Sequence, residues 1–474
     1  MFAATAAVVL AGPMTACSRP GGAQGQVTAE AVTLSDSQAE QALKVLAEAP
    51  SHGFPPAAFP VDGLEDQLKS DEAGTRTAAQ RRLASELVSY ARAMHGFAIP
   101  KGAMDPNWGM RSSAKYDAAA ELRAAVAQDK MQEWLASLPP AAPQYEALRK
   151  GYATYLKIAD DGGWPAVPTG PALKLGAGGP RVAALRKRLG FEDAAVAQAA
   201  PDAPYDAALG QAVAAFQTRH GLPATGAVDA HTLAALNVPA IARAAQIRAN
   251  LERWRWAPRE TPPTRIEVNS AAGLFDMYVD GQPAMHMLVA AGKPGDETPI
   301  LTSKIHTVVL NPSWNVPKEI AEKEILPKGE AYLASHNFVQ EGDRLVQKPG
   351  DGNSLGQVKF QFDNAYAVYL HDTPAKAAFT RPQRQVSHGC VRLEKAIDLA
   401  KFVLGRDSGM PPEQVDEDLA DADTHAIALK TQIPVAIYYW TAWVDGDQVA
   451  FRDDVYGWDE AVLRQLDAAL GRRT

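Results

Sequence analysis

Past the string "NLERWRWAPRE" the sequence changes period. Before it, apolar residues recur every three or four positions in "SDSQAEQALKVLAEA", "RTAAQRRLASELVSYARAMHGF" and "YDAAAELRAAVAQDKMQEWLASL", the spacing of one helix face. From Thr264 onward, "TRIEVNS", "GLFDMYVD", "AMHMLVAA", "KIHTVVL", "QVKFQF", "AYAVYL" and "VAIYYW" are short runs rich in β-branched and aromatic residues, as strands are. Asp280-Gly281 between two of them is a hairpin turn. One layer cannot bury both patterns, so the expected fold class is multidomain α + β.

Punctuation divides the 474 residues further, into the two to four domains that such a length suggests. Residues 28–165 read as a helical scaffold without a chemical motif. The Gly- and Pro-rich "DDGGWPAVPTGPALKLGAGG" is a linker. Residues 170–237 hold three short helical patterns, and residues 238–260 a connecting helix. The β-rich domain is expected over residues 264–440, interrupted at 317–354 by a segment longer than a plain loop, which suggests a cap. Residues 441–474 close with a hairpin and an amphipathic helix. A net charge of -8 with no long basic run argues against a nucleic-acid partner.

The first 17 residues carry a short apolar run that suits a signal-peptide core. It ends at Met14-Thr15-Ala16-Cys17, which resembles the lipobox of bacterial lipoproteins. That resemblance implies export, a lipid on Cys17 and anchorage at the cell envelope, with residues 18–27 as a flexible tether. The chain has two cysteines. With Cys17 lipidated, Cys390 has no disulfide partner, and an unpaired thiol in an oxidising compartment is either buried or kept for its reactivity.

The surroundings of Cys390 favour reactivity. His371 ends the strand pattern in "YLHDTP", nineteen residues before Cys390 in "SHGCVRL". "VRLEKAIDLAKFVL" reads as a helix, which would place Cys390 near a helix N-terminus whose dipole favours the thiolate. A histidine within reach can take the thiol proton, the Cys–His arrangement of nucleophilic acyl transfer. Gly389 permits close approach of the backbone to a substrate, and N–H groups around it can bind an oxyanion. Arg392 can hold a carboxylate.

These residues resemble the signature of the L,D-transpeptidases: a histidine, about fifteen residues, then Ser/Thr-His-Gly-Cys, a hydrophobic residue and Arg or Asn. Here fifteen residues separate His371 from Ser387, and Val391 and Arg392 complete the pattern. The order of parts, with "NLERWRW", "NPSWNVP" and "GNSLGQVKF", is similar to the large subgroup that has a helical scaffold, a peptidoglycan-binding module and a capped catalytic domain. The resemblance implies Cys390 as nucleophile, His371 as general base, and His388 and Gly389 shaping the site. Arg392, Tyr369, Ser387 and Trp314 would line the substrate path. It also implies peptidoglycan stem peptides as donor and acceptor, 3→3 cross-links, acylation by carbapenems, and neither metal nor nucleotide. Resolution of the acyl-enzyme by water would make the same thiol a carboxypeptidase.

"AALGQAVAAFQTRHGLPATGAVDAHTLAAL" resembles the type 1 peptidoglycan-binding domain through Val213, Phe216, Gln217, Gly221, Leu222, Gly226 and Thr232. Val213, Phe216 and Leu233 suit the core of a three-helix unit, with Gly221 and Gly226 supplying turns. Wall binding is what the resemblance implies.

Several strings imitate other chemistries. Gly352-Asn353-Ser354-Leu355-Gly356 spells a nucleophile elbow, but a turn precedes it and a strand follows, the reverse of what an elbow needs. It reads as the hinge where the cap rejoins the sheet. Ser112-Ser113-Ala114-Lys115 spells Ser-x-x-Lys without the accompanying Lys-Thr-Gly. The ten histidines include no zinc-protease pairing. A non-catalytic wall anchor would carry a damaged signature, and this one is intact.

Overall fold

The computed structural model describes residues 32–110, 115–421 and 423–471. The signal segment, the tether, Cys17, and Ser112 and Ser113 lie outside the described residues.

The N-terminal part is helical. Its first long helix, Asp36–Ala47, opens on a capping box: Gln38 donates its backbone N–H to the Ser35 hydroxyl, while its side chain accepts from the Ser35 N–H. Helices Ala73–Arg92, Ala118–Ala127 and Met131–Ser137 turn Leu83, Leu87, Leu122 and Leu135 into one core with Leu46. That core does not stop at the domain boundary. It runs on through Trp256, Ile300, Tyr439 and Trp458, so the scaffold and the β-rich domain share apolar packing.

The helix Ala240–Trp256 does more than connect. It packs along Pro143–Asp160 and buries Arg243, Asn250, Glu252, Arg253 and Arg255. Two of its arginines are paired with carboxylates: Arg255 with Glu252 of the same helix at 2.5 Å, and Arg253 with Asp459 of the C-terminal helix at 2.5 Å. Removing one partner of such a pair strands a buried charge, typically at a cost of about 3–5 kcal/mol.

The small domain has helices Pro180–Leu189, Ala194–Gln198, Ala207–Arg219 and Ala230–Leu236 around Leu185, Val213 and Phe216; Leu233 packs at the edge. Gln217 is buried, donating to Thr232 Oγ1 and the Ala227 carbonyl and accepting from Gly226 N–H. The motif residues Gln217 and Thr232 therefore hold this fold together.

The β-rich domain is built from β1 (Arg265–Asn269), β2 (Leu274–Val279), β3 (Gln282–Gly292), β4 (Leu301–Leu310), β5 (Trp314–Asn315), β6 (Phe338–Glu341), β7 (Arg344–Gln347), β8 (Val358–Phe362), β9 (Leu370–His371), β10 (Gln385–Ser387), β11 (Val391–Leu393) and β12 (His425–Tyr438). Sheet order is β10-β3-β11-β9-β8-β4-β12-β1-β2, and β2 pairs back onto β3. Closing the sheet in this way leaves eight strands without a free edge between them. Helix Ala396–Ser408 packs Leu399, Val403 and Leu404 against the core formed by Ile266, Phe275, Val308 and Phe360. β5, β6 and β7 form a separate small sheet. With helix Glu330–Ser335 and short helical turns, it gives the 317–354 insertion a core of its own, around Val316, Ile325, Phe338 and Leu345.

A terminal hairpin, β13 (Ala442–Asp445) and β14 (Gln448–Phe451), packs against the helices Pro143–Asp160 and Ala240–Trp256, and helix Trp458–Leu470 ends the described chain.

Candidate active site

β8, β9 and β11 lie side by side, and their register assembles the site. β11 runs parallel to β9 with Val391 opposite Leu370 and Arg392 opposite His371; β8 places Lys359 opposite His371. Val358, Phe360, Leu370, Val391 and Leu393 are fully buried in the core. Side chains alternate along a strand, so Lys359, Tyr369, His371, Cys390 and Arg392 share the opposite face.

This corrects the expectation for "VRLEKAIDLAKFVL". The helix begins only at Ala396, and Val391–Leu393 is a strand. Val391 and Leu393 alternate with Cys390 and Arg392 at period two, a pattern too short to stand out before a helix. Cys390 thus sits at a strand entrance, with no helix dipole behind it.

Burial pushes the Cys390 thiol above its ordinary value, against the pull of Tyr369, Lys359 and Arg392. Tyr369 stands opposite Cys390 on β9's side of the pair, where its backbone and hydroxyl favour the thiolate. Trp314 lines the same cleft as Tyr369 and opposes the rise of its phenol. Burial raises the Tyr369 phenol far above its usual range, so it acts as a donor and not as a base.

His371 is buried, and its pKa is lowered to about 4 by burial and by Arg392, although the carbonyls of Asp372 and Leu355 favour the protonated ring. Its Nδ1 faces the Asp372 carbonyl oxygen. The resting pair is therefore a thiol and a neutral imidazole. His371 lies one register step beyond the thiol, and Tyr369 is the residue directly opposite it. Since the thiolate is the nucleophile, alkylation by iodoacetamide is expected to rise about tenfold per pH unit from pH 6 to 8 and to keep rising at pH 9. A plateau near neutral pH would contradict this picture.

The turn ahead of Cys390 is held from below. The Ser387 hydroxyl donates to the Cys390 carbonyl at 2.5 Å, and the residue is buried. Ser387 was expected on the substrate path; the structure uses it instead to close the turn. Gly389 has φ +99°, the left-handed region that side chains disfavour. Thr298 is fully buried, accepting from Gly292 N–H and donating to the Gly389 carbonyl, both at 2.8 Å. In a trans peptide, C=O and N–H point in opposite directions, so fixing this carbonyl also aims the Cys390 N–H. Among the described residues, the Gly389 and Cys390 amides have no acceptor. Thr298→Val is expected to slow acylation of Cys390 by about 10- to 100-fold with little change in ligand affinity, and Thr298→Ser to restore the rate. Equal loss of affinity and rate in the valine variant would reduce Thr298 to a packing role.

Cys390 opens into a cleft of about 670 Å³, also lined by Trp314, Lys359, Tyr366, Tyr369 and His388. The insertion supplies one wall and is tied to the Cys390 turn: His388 Nε2 lies 2.7 Å from Glu324 Oε1 and 3.2 Å from Lys293 Nζ. Tyr366 is anchored from the scaffold side, donating its hydroxyl to the Pro106 carbonyl at 2.7 Å.

The structure brings Cys390, Tyr369, Trp314, His388 and Gly389 together around the cleft. His371 and Arg392 stand beside them along the sheet. Sequence reasoning missed Lys359, Thr298 and Glu324. Lys359 alternates with the apolar residues of "QVKFQF", which marks it as facing away from the core. Thr298 and Glu324 carry no local signal, because each acts through a fold contact across 91 or 64 residues. Asn353 of the elbow-like string donates to the carbonyls of Pro312 and Lys348, and so locks the junction of cap and sheet.

Three stretches match known families: residues 263–437 the L,D-transpeptidase catalytic domain, residues 32–151 the Scaffold domain, and residues 178–236 the "Putative peptidoglycan binding domain". A Haemophilus influenzae protein named "Putative L,D-transpeptidase" is 32% identical over 221 residues, 42% of this chain and 45% of that protein. The match thus spans less than half the length of this curated relative. Among solved structures, an L,D-transpeptidase from Mycobacterium smegmatis is 16% identical with a TM-score of 0.21, over 37% of this chain and 58% of that one. An L,D-transpeptidase from Xylanimonas cellulosilytica is 17% identical with a TM-score of 0.19, over 57% of this chain and 99% of that one.

Proposed function

We infer that this chain, which carries an L,D-transpeptidase catalytic domain behind scaffold and peptidoglycan-binding domains, is a cysteine-dependent L,D-transpeptidase acting on peptidoglycan stems. The observation that carries the reading is Cys390: a free thiol at the floor of a capped cleft, opposite Tyr369 and flanked by free backbone amides.

His371 is the general base. Of the groups on its face, Lys359 and Arg392 are cations and Tyr369 is a donor, which leaves the neutral imidazole to accept a proton. It stands on the same face as Cys390, on the neighbouring strand, and catalytic hydrogen bonds can form only when substrate is bound. The Cys390 sulfur attacks the carbonyl of the L-centred third residue of a tetrapeptide stem, and its proton passes to His371. The amides of Gly389 and Cys390 bind the oxyanion. Protonated His371 then returns the proton to the departing amine, and terminal D-alanine leaves. The thioester retains the acyl group's reactivity until an amine on the third residue of a second stem attacks, giving a 3→3 amide and regenerating the thiol. His388 and Glu324 hold the cap over this step and so exclude water. Carbapenems, as strained acyl donors, would acylate the same thiol. The small domain would bind the wall, and a lipid on Cys17 would keep the enzyme at the cell envelope.

Intact-protein mass spectrometry after incubation with a disaccharide-tetrapeptide, with product analysis, tests the reading. A cross-linked dimer formed with loss of D-alanine supports it. Tripeptide alone would identify a carboxypeptidase on the same thiol, and neither product nor adduct would overturn the catalytic reading.

A further inference from the structure

The cleft's lysines differ in one respect. Lys293 pairs with Asp296 at 3.2 Å, Lys323 with Glu319 at 2.5 Å, and Lys376, beneath the site, with Asp372 at 2.6 Å. Lys359 forms no ion pair among the described residues. It lies on β8 inside the cleft, in one cross-strand row with His371 and Arg392, and its Nζ sits 4.1 Å from the centre of the Tyr369 ring. That ring belongs to the residue opposite Cys390 in the strand register. Arg392 stands at the far end of the row and does not line the cleft, so an entering ligand meets Lys359.

A half-buried ammonium without an anion is costly to hold, and burial lowers the Lys359 pKa accordingly. The cost is offset when an anion arrives. On the transpeptidase reading, on which this inference rests, the donor brings one to the right place. The residue released from the stem ends in a free carboxylate, two bonds beyond the scissile nitrogen and within about 3.8 Å of the attacked carbon, one residue's span. A cation in the same cleft as the thiol, against the ring of the residue opposite it, is within reach of that carboxylate.

We propose that Lys359 binds the terminal carboxylate of the donor stem, and thereby restricts the enzyme to peptides in which a single residue follows the scissile bond. A longer or amidated stem places a neutral amide against the ammonium. The leaving residue's carboxylate also departs with the amine, which frees the ammonium and the acceptor's side of the cleft together.

The test compares two disaccharide-tetrapeptide donors, one with a free and one with an amidated terminal carboxyl, by the rate at which each acylates Cys390 in the full chain. The wild-type enzyme is expected to favour the free carboxylate by about 10- to 100-fold, the range of a charge-assisted hydrogen bond. Lys359→Met, which keeps the apolar stem, is expected to bring the two donors within about threefold of each other; Lys359→Arg is expected to retain the preference. If Lys359→Met slows both donors equally and the preference survives, the lysine serves the thiolate and the carboxylate assignment is overturned, while the transpeptidase reading stands. A wild-type enzyme that acylates with both donors at one rate overturns the assignment as well. A wild-type enzyme that acylates with neither overturns the transpeptidase reading and this inference with it.

Discussion

Cys390→Ser is expected to abolish cross-linking, with a loss on the order of 10⁴-fold or more, while thermal unfolding stays within a few degrees of wild type. The site explains why oxygen cannot replace sulfur. Burial raises even the thiol above its usual value, and His371, with a pKa lowered to about 4, is too weak a base to activate a hydroxyl. The replacement is slightly smaller than the thiol and keeps a hydrogen-bonding group opposite Tyr369, so the strand pairing of β9 and β11 is left intact. The measurement is product formation from a tetrapeptide donor, with a carbapenem adduct by mass as a second readout. Cross-linking retained in the serine variant would remove Cys390 from the mechanism.

His371→Ala is expected to lower the acylation rate by about 10²- to 10⁴-fold and to change donor affinity by less than about threefold. The imidazole is neutral at every pH above about 4, so the loss should be nearly constant between pH 6 and 8. The same variant removes a donor from buried carbonyl surroundings, at Asp372 and Leu355. A stability loss of about 1–3 kcal/mol is expected with it, and the rates belong at a temperature well below the variant's unfolding. Equal losses in affinity and rate would make His371 a structural residue of the turn.

The N-terminal helices and the strand runs around residues 265–310 were legible because each has its apolar residues on one side at a single period. The small strands β10 and β11 were not. Three residues are too few to show a period, and "VRL" runs into a true helix that hides it. The helix Ala240–Trp256 was read only as a connector because its buried surface is charged. Its pairing of Arg255 with Glu252 and Arg253 with Asp459 is invisible to any apolar count. Ser387 illustrates the opposite error, since a residue inside a chemical signature need not touch the ligand. Its hydroxyl closes the turn that presents Cys390.

The sequence by itself determined the division into helical and β-rich parts, and the cysteine and histidine at their signature spacing, for these depend on residue type and local period alone. The tertiary structure decided the contacts at the thiol. Strand register put Tyr369 beside Cys390, aligned Lys359, His371 and Arg392 in one row, and brought Thr298 beneath Gly389. The physical reason is that side-chain alternation is a property of each strand, whereas the pairing of strands is set by the whole core they enclose, and no local stretch of sequence contains it.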